Sequence, residues 1–416
     1  MLLNRDDTAQ LAPMVQRIVR ETPVADMHTH LYAADFGPLM LWGIDEMLTY
    51  HYLAAEYFRL GTIPPAEFWK LDKRSQADAV WRTLFLENTP LSEACRGVVT
   101  VLDGLGLDVA SRDLESYRAW FKAQKPEDHI ERVFAAANVS SAVMTNDPFD
   151  DVERPVWEGG YQPGGRFHGA LRIDPILNNW REACGRLQAM GYQVDLDLSP
   201  RAQAEVRRFL ETWMERYDAR YMAVSLPPHF AFPEDSVRTW LLDACVLPVA
   251  RACKRPFAMM IGVKRGVNPA LMLAGDGVAA ASLAPVEHLC RAYPENKFLV
   301  TMLARENQHA LCVAARKFSN LMVFGCWWFL NNPSLIEEMT RMRIELLGPG
   351  VIPQHSDARV LEQIIYKWNH SREIIASVLT EKYAALLRTG WNLSEQEIRR
   401  DATQLLGGNF LQFVQR

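Results

Sequence analysis

Val24-Ala25-Asp26-Met27-His28-Thr29-His30 is a short, mostly apolar run that ends in two histidines one residue apart. In an extended chain, residues i and i+2 point to the same side, so His28 and His30 can aim two imidazole nitrogens at one ion. Taken alone, a His-x-His at a strand end reads equally well as a polar terminus facing solvent. The rest of the chain separates the two readings.

Compact apolar runs that end at polar residues recur at 141–145, 168–173, 221–226, 256–262, 297–302, 321–326 and 351–356. With 24–28 they make eight predicted strands, the last weakened as a regular strand by Pro353. Helix-period stretches such as 202–217, 236–254 and 285–293 lie between them. Strands apolar on both faces and alternating with helices imply a parallel sheet, and eight of them imply a closed (β/α)8 TIM barrel. The open doubly wound sheet would carry a Gly-rich phosphate loop after its first strand, where this chain has His28-Thr29-His30.

The expected organisation is an N-terminal helix and first strand over 1–30, a helical insertion over 31–138, strands two to eight over 139–359, and C-terminal helices over 360–416. The βα loops of a barrel all lie on its catalytic face, so an insertion after strand one is predicted to cap the site. Its stretch from Tyr50 to Arg59 is a candidate source of substrate contacts, although most of its aromatics read better as the inward face of an amphipathic helix. The C-terminal part has no strand pattern and is expected to pack on the barrel without taking part in chemistry.

Composition narrows the function class. The chain has 416 residues, 49% of them hydrophobic, and a formal charge of −5 without a dense Lys/Arg run. That balance argues against a nucleic-acid surface and favours a small-molecule enzyme. No apolar stretch approaches the roughly 20 residues of a spanning helix, and the N-terminus lacks a secretory apolar core, so a cytoplasmic protein without membrane contact is expected. The seven cysteines are odd in number and scattered, with no CxxC pair, and read as reduced core residues.

If eight strands close a barrel, the residues after each strand converge at one end. These are His28 and His30; Asn146 and Asp147; Arg172 and Asp174; His229; Lys264; Arg305 and Asn307; Trp327 and Trp328; Asp357 and Arg359. Catalytic zinc commonly takes three ligands drawn from His and carboxylate. His28, His30 and Asp357 meet that specification, because strands one and eight are neighbours in a closed barrel. Arg172 and Arg359 suit a carboxylate held in a bidentate fork, and Lys264 and Arg305 read equally well as anion contacts or salt-bridge partners. Trp327 and Trp328 offer an aromatic wall, with core packing expected for one of them. His355 is expected in the barrel interior, and His168 and Asp174 are candidate supports of the site residues. No histidine stands directly after strands five and six, and His309 reads as a packed helix residue, which leaves one metal.

The motifs Asp26-Met27-His28-Thr29-His30, Thr49-Tyr50-His51-Tyr52, Ala170-Leu171-Arg172-Ile173-Asp174-Pro175, Gly325-Cys326-Trp327-Trp328-Phe329 and Ser356-Asp357-Ala358-Arg359 run through nearly the whole chain. In order and spacing they resemble the uronate isomerase family of the amidohydrolase superfamily, in a divergent bacterial branch. The resemblance implies interconversion of D-glucuronate with D-fructuronate and of D-galacturonate with D-tagaturonate through a cis-enediol. It implies one divalent metal, usually zinc, on His28, His30 and Asp357. His51, Tyr52, Arg172 and Arg359 match positions that contact substrate or transfer protons. Asp357 would then be both ligand and proton relay, with Trp327 against the sugar. Where the family often has Thr-Asp-Ser-Arg, this chain has Ser356-Asp357-Ala358-Arg359. The expected partner is a hexuronate substrate, with no nucleic acid, and a homo-oligomer is expected. The alternative is a mononuclear metal-dependent hydrolase or decarboxylase acting on a small sugar acid.

Overall fold

The computed structural model describes residues 2–415. Its core is a parallel sheet of seven strands: β1 (Val24–Thr29), β2 (Val139–Asn146), β3 (Phe167–Arg172), β4 (Met222–Leu226), β5 (Phe257–Ile261), β6 (Phe298–Met302) and β7 (Leu321–Val323). Each strand lies beside its successor in the sheet, as a barrel requires.

Alternation explains why these runs are strands. Phe257, Met259 and Ile261 of β5 pack outward with the helices, whereas Ala258 and Met260 join Ala170, Tyr221, Leu299 and Phe324 in a second cluster inside the barrel. The helix Pro200–Arg216 is typical of the outer ring. Ser199 caps it by accepting from the Ala202 amide, Pro200 occupies its first turn, and Val206, Phe209, Leu210, Trp213 and Met214 form its buried stripe.

The eighth predicted strand is corrected. Residues 351–358 form no regular strand, yet they close the barrel. At their start, the Ile352 amide donates to Val323 O at 3.1 Å and the Gly325 amide to Ile352 O at 2.8 Å. At their end, the Asp357 amide donates to His28 O at 3.1 Å and the His30 amide to Ala358 O at 2.7 Å. Pro353 has no N–H for a ladder, and the Gln354 side chain takes over by accepting from the Cys326 and His355 amides. Gly325 is obligatory at this seam, with φ of 63° and a Cβ that would fall 1.6 Å from His355 Nδ1.

Between β1 and β2 the chain is helical, including α2 (His51–Leu60), which follows the N-terminal α1 (Thr8–Glu21). The C-terminal part is mainly α3 (Gln363–Arg388), the longest helix described. It also contains the two-residue strand Leu393–Ser394, paired antiparallel with Leu2–Leu3, which corrects the expectation of no strand there. All seven cysteines are free. Among the described residues, no helix is long and apolar enough to cross a membrane.

Candidate active site

β1 and the irregular closing segment place His28, His30 and Asp357 together at the C-terminal end of the sheet. His28 Nε2 lies 3.6 Å and His30 Nε2 3.3 Å from Asp357 Oδ1. Asp357 has φ of 51°, a left-handed conformation that aspartate tolerates better than most side chains. The amide bonds on either side, to His28 O and from His30 to Ala358 O, hold it there.

Proton counting fixes the tautomers of both histidines. The Tyr221 hydroxyl donates to Met27 O at 2.8 Å, so its contact of 3.0 Å with His28 Nδ1 requires the imidazole to donate. The Thr145 hydroxyl donates to Thr29 O at 2.9 Å, so His30 Nδ1, 2.8 Å away, is likewise the donor. Both Nε2 atoms therefore present lone pairs to a carboxylate oxygen. Burial pushes His28 down to about 3, against the raising influence of Asp357. Burial, followed by Arg359 and Arg172, also holds His30 well below the ordinary histidine value. His28 Nε2 and Asp357 Oδ1 are both buried without a hydrogen-bond partner, so acceptor faces acceptor at the centre of this group. Among the described residues this is the one group of His, Cys, Asp or Glu with metal-binding spacing, and its donor set fits a metal ion.

A small pocket opens onto this group, bordered by His51, Arg172, Arg265, Trp327, Trp328 and Arg359. Arg172 is tethered through Nε to Asp174 Oδ2 at 3.3 Å, and Asp174 is held by the Ser225 amide at 3.2 Å. Asp174 is the main influence that raises the Arg172 pKa, so the guanidinium stays charged despite burial. Among the described residues, no carboxylate lies within ion-pair distance of the Arg359 guanidinium. His51, at the first turn of α2, is pushed down to about 3 by burial and stays neutral; its ring meets Trp328 edge-on at 5.5 Å. The pocket thus sets a group with metal-binding spacing beside the guanidinium groups of Arg172, Arg265 and Arg359, a combination suited to a small anionic substrate.

No family model and no curated protein matches the chain. Among solved structures, the uronate isomerase from Bacillus halodurans C-125 is 56% identical, with a TM-score of 0.97 over 98% of this chain and 97% of that one. The chain belongs to the uronate isomerase family. At 16% identity, the uronate isomerase from Thermotoga maritima shares the fold with a TM-score of 0.78, over 99% of this chain and 98% of that chain. The glucuronate isomerase from Caulobacter crescentus does so at 16% identity and a TM-score of 0.75, over 98% of this chain and 94% of that chain.

In this member of the uronate isomerase family, Tyr50 borders the pocket, and Tyr52 lines an adjoining crevice with Met47, Leu53, Gln363 and Tyr366. The Tyr52 hydroxyl is buried without a partner, and burial raises its pKa well above the ordinary phenol value. Trp327 is buried in the barrel-interior cluster while still bordering the pocket, and Trp328 packs partly against it. His355 lies in the interior as expected, its ring centroid 5.2 Å from that of His28.

Several expectations are corrected. Lys264 and His229 are exposed and do not border the pocket. Of the two readings of Arg305, the salt bridge is the one found: it is exposed and pairs with Glu338 at 3.0 Å. Asn307 bonds the Ala281 backbone, and His309 is exposed on its helix, not packed. His168 sits near the start of β3 against Arg220 at 3.2 Å, away from the mouth, because a strand sends only its last residues to the site.

The sequence reading missed Tyr221, Thr145, Asp26 and Arg265. Asp26 shares the i, i+2 series with His28, and its carboxylate receives the Ser356 amide at 3.1 Å and Trp368 Nε1 at 2.8 Å. That periodicity was a usable signal. Tyr221 and Thr145 give none, since they act through a fold contact across the barrel. The C-terminal helix also reaches the site, where Gln363 accepts from the Arg359 amide at 2.9 Å and Lys367 donates to Ser356 O at 2.5 Å.

Proposed function

We infer that this protein is a metal-dependent uronate isomerase that interconverts D-glucuronate with D-fructuronate and D-galacturonate with D-tagaturonate. The observation that carries the reading is the convergence of His28, His30 and Asp357 with Arg172 and Arg359 on one pocket, in a chain 56% identical to a uronate isomerase. His28, His30 and Asp357 would hold a single divalent ion, which we take to be zinc. Bound there, the ion would polarise substrate oxygens and offset negative charge on the enediolate.

The chain's own groups divide the remaining work. Arg172 and Arg359 bind the carboxylate, with Asp174 fixing the Arg172 fork. Trp327 and Trp328 cover the apolar side of the sugar and exclude water. The Asp357 carboxylate accepts a proton during enediol formation, and Tyr52 or neutral His51 carries a proton between carbons or oxygens. Residues 31–138 act as the cap on this site, supplying His51. A cytoplasmic homo-oligomer is the setting we assign to the enzyme.

Incubating the purified, metal-loaded protein with D-glucuronate and, separately, D-galacturonate tests the reading by NMR. Formation of the ketouronates is expected. No product from either acid would leave the alternative of a sugar-acid hydrolase or decarboxylase.

A further inference from the structure

The C-terminal helix carries six consecutive buried residues, Gln363 to Trp368, and one of them is a lysine. Lys367 is 3% exposed, far below what is usual for this side chain. Its ammonium donates to Ser356 O at 2.5 Å, the carbonyl immediately before Asp357. It also lies 5.8 Å from the centroid of the Tyr52 ring, within cation–π range. Asp357, Asp26 and Glu93 are the acidic groups that act on it, and Arg359 is the opposing cation. Its neighbour Trp368 bonds Asp26, which in turn receives the Ser356 amide. One turn of helix therefore holds both backbone groups of Ser356, its C=O directly through Lys367 and its N–H through Trp368 and Asp26.

A buried ammonium carries a desolvation penalty that one carbonyl hydrogen bond offsets poorly. A methionine would fill the same volume without that penalty. Both moieties that Lys367 meets, the Ser356–Asp357 peptide and the Tyr52 ring, belong to groups proposed to move the proton.

We propose that Lys367 is a positioning residue of the isomerase site, holding the Asp357 backbone and the Tyr52 ring in their working arrangement, with its ammonium facing Tyr52, where negative charge develops as the hydroxyl gives up its proton. The inference rests on the isomerase reading, and on Asp357 and Tyr52 being its proton-transfer groups. Lys367 itself does not border the pocket onto which His28, His30 and Asp357 open.

Lys367→Met removes the charge and the donor, and Lys367→Gln keeps a donor without the charge. In metal-loaded protein, with wild type assayed alongside on the same uronate, both variants are expected to lose roughly 10²-fold in kcat, the scale of one preorganised electrostatic partner. KM and the metal bound per chain are expected to stay near wild type, a split that a merely structural role would not produce. Wild-type kcat in Lys367→Gln overturns the proposal. So does loss of metal in step with activity, or failure of both variants to fold. An inactive wild type would instead defeat the isomerase reading.

Discussion

The Tyr221 phenol receives the Nδ1 proton of His28 at 3.0 Å and passes its own to the Met27 carbonyl at 2.8 Å. One hydroxyl thereby fixes the tautomer and the ring orientation of the most deeply buried metal-ligand candidate. Outer partners of this kind raise ligand basicity and are worth about 10–100-fold in metal affinity. Tyr221→Phe is expected to weaken zinc binding by roughly that factor, read by competition with a chromophoric chelator. Unchanged affinity would mean that the Tyr221 bond does not prepare His28 as a ligand.

Asp357 is asked to be both ligand and proton acceptor. Asp357→Asn preserves the shape of the side chain and removes its charge. Turnover and exchange of the C2 hydrogen are expected to vanish, with metal per chain sharply reduced and the circular dichroism spectrum unchanged. Full activity in this variant would remove Asp357 from both roles.

Arg172 and Arg359 are assigned the substrate carboxylate. Hydrogen bonds to charged groups are worth about 1.5–3 kcal/mol, so Arg172→Met or Arg359→Met is expected to raise KM by roughly 10–10²-fold. Arg172→Lys should recover little, because an ammonium cannot reproduce a fork tethered at Nε by Asp174. Steady-state kinetics decide this, and KM within twofold of wild type in both methionine variants would reassign the carboxylate.

Glu153 supplies a stability prediction. Burial pushes its carboxyl up to about 7, although the Asp147 amide, the Tyr32 hydroxyl and the Trp157 indole all donate to it. A raised folded-state pKa means that its contribution is fully present below the ordinary glutamate value of 4.5 and is lost as pH rises through about 7. Between pH 5 and pH 8, wild type should lose roughly 2.5 kcal/mol relative to Glu153→Gln, which cannot ionise. Urea unfolding at the two pH values measures the difference, and equal losses would place the Glu153 carboxyl near its ordinary pKa.

Much of the barrel was legible because its strands are buried on both faces and stand out as apolar runs between amphipathic helices. The candidate metal trio followed from the His-x-His spacing together with the strand count, since closure brings Asp357 beside His28 however far apart they lie in sequence. The eighth segment was legible as a position but not as a conformation. A proline and a glutamine side chain replace its ladder bonds, and no periodicity announces that. Lys264 and Arg305 were indistinguishable from Arg265 by type, and only loop geometry brings Arg265 to the pocket and turns the others to solvent. Lys367 was illegible for a related reason. A lysine in a helix reads as a solvated residue until tertiary packing buries the turn around it.

One metal ion acting with anion-binding arginines on an acidic sugar is the centre of the proposed reaction. Its most direct test is to strip the protein of metal, add zinc back in sub-stoichiometric steps, and follow ketouronate formation from D-glucuronate and D-galacturonate by NMR against metal bound per chain. Activity that rises linearly and breaks at one ion per chain is the predicted result. Full activity in the metal-free protein, or none from either acid with one ion bound, would contradict it.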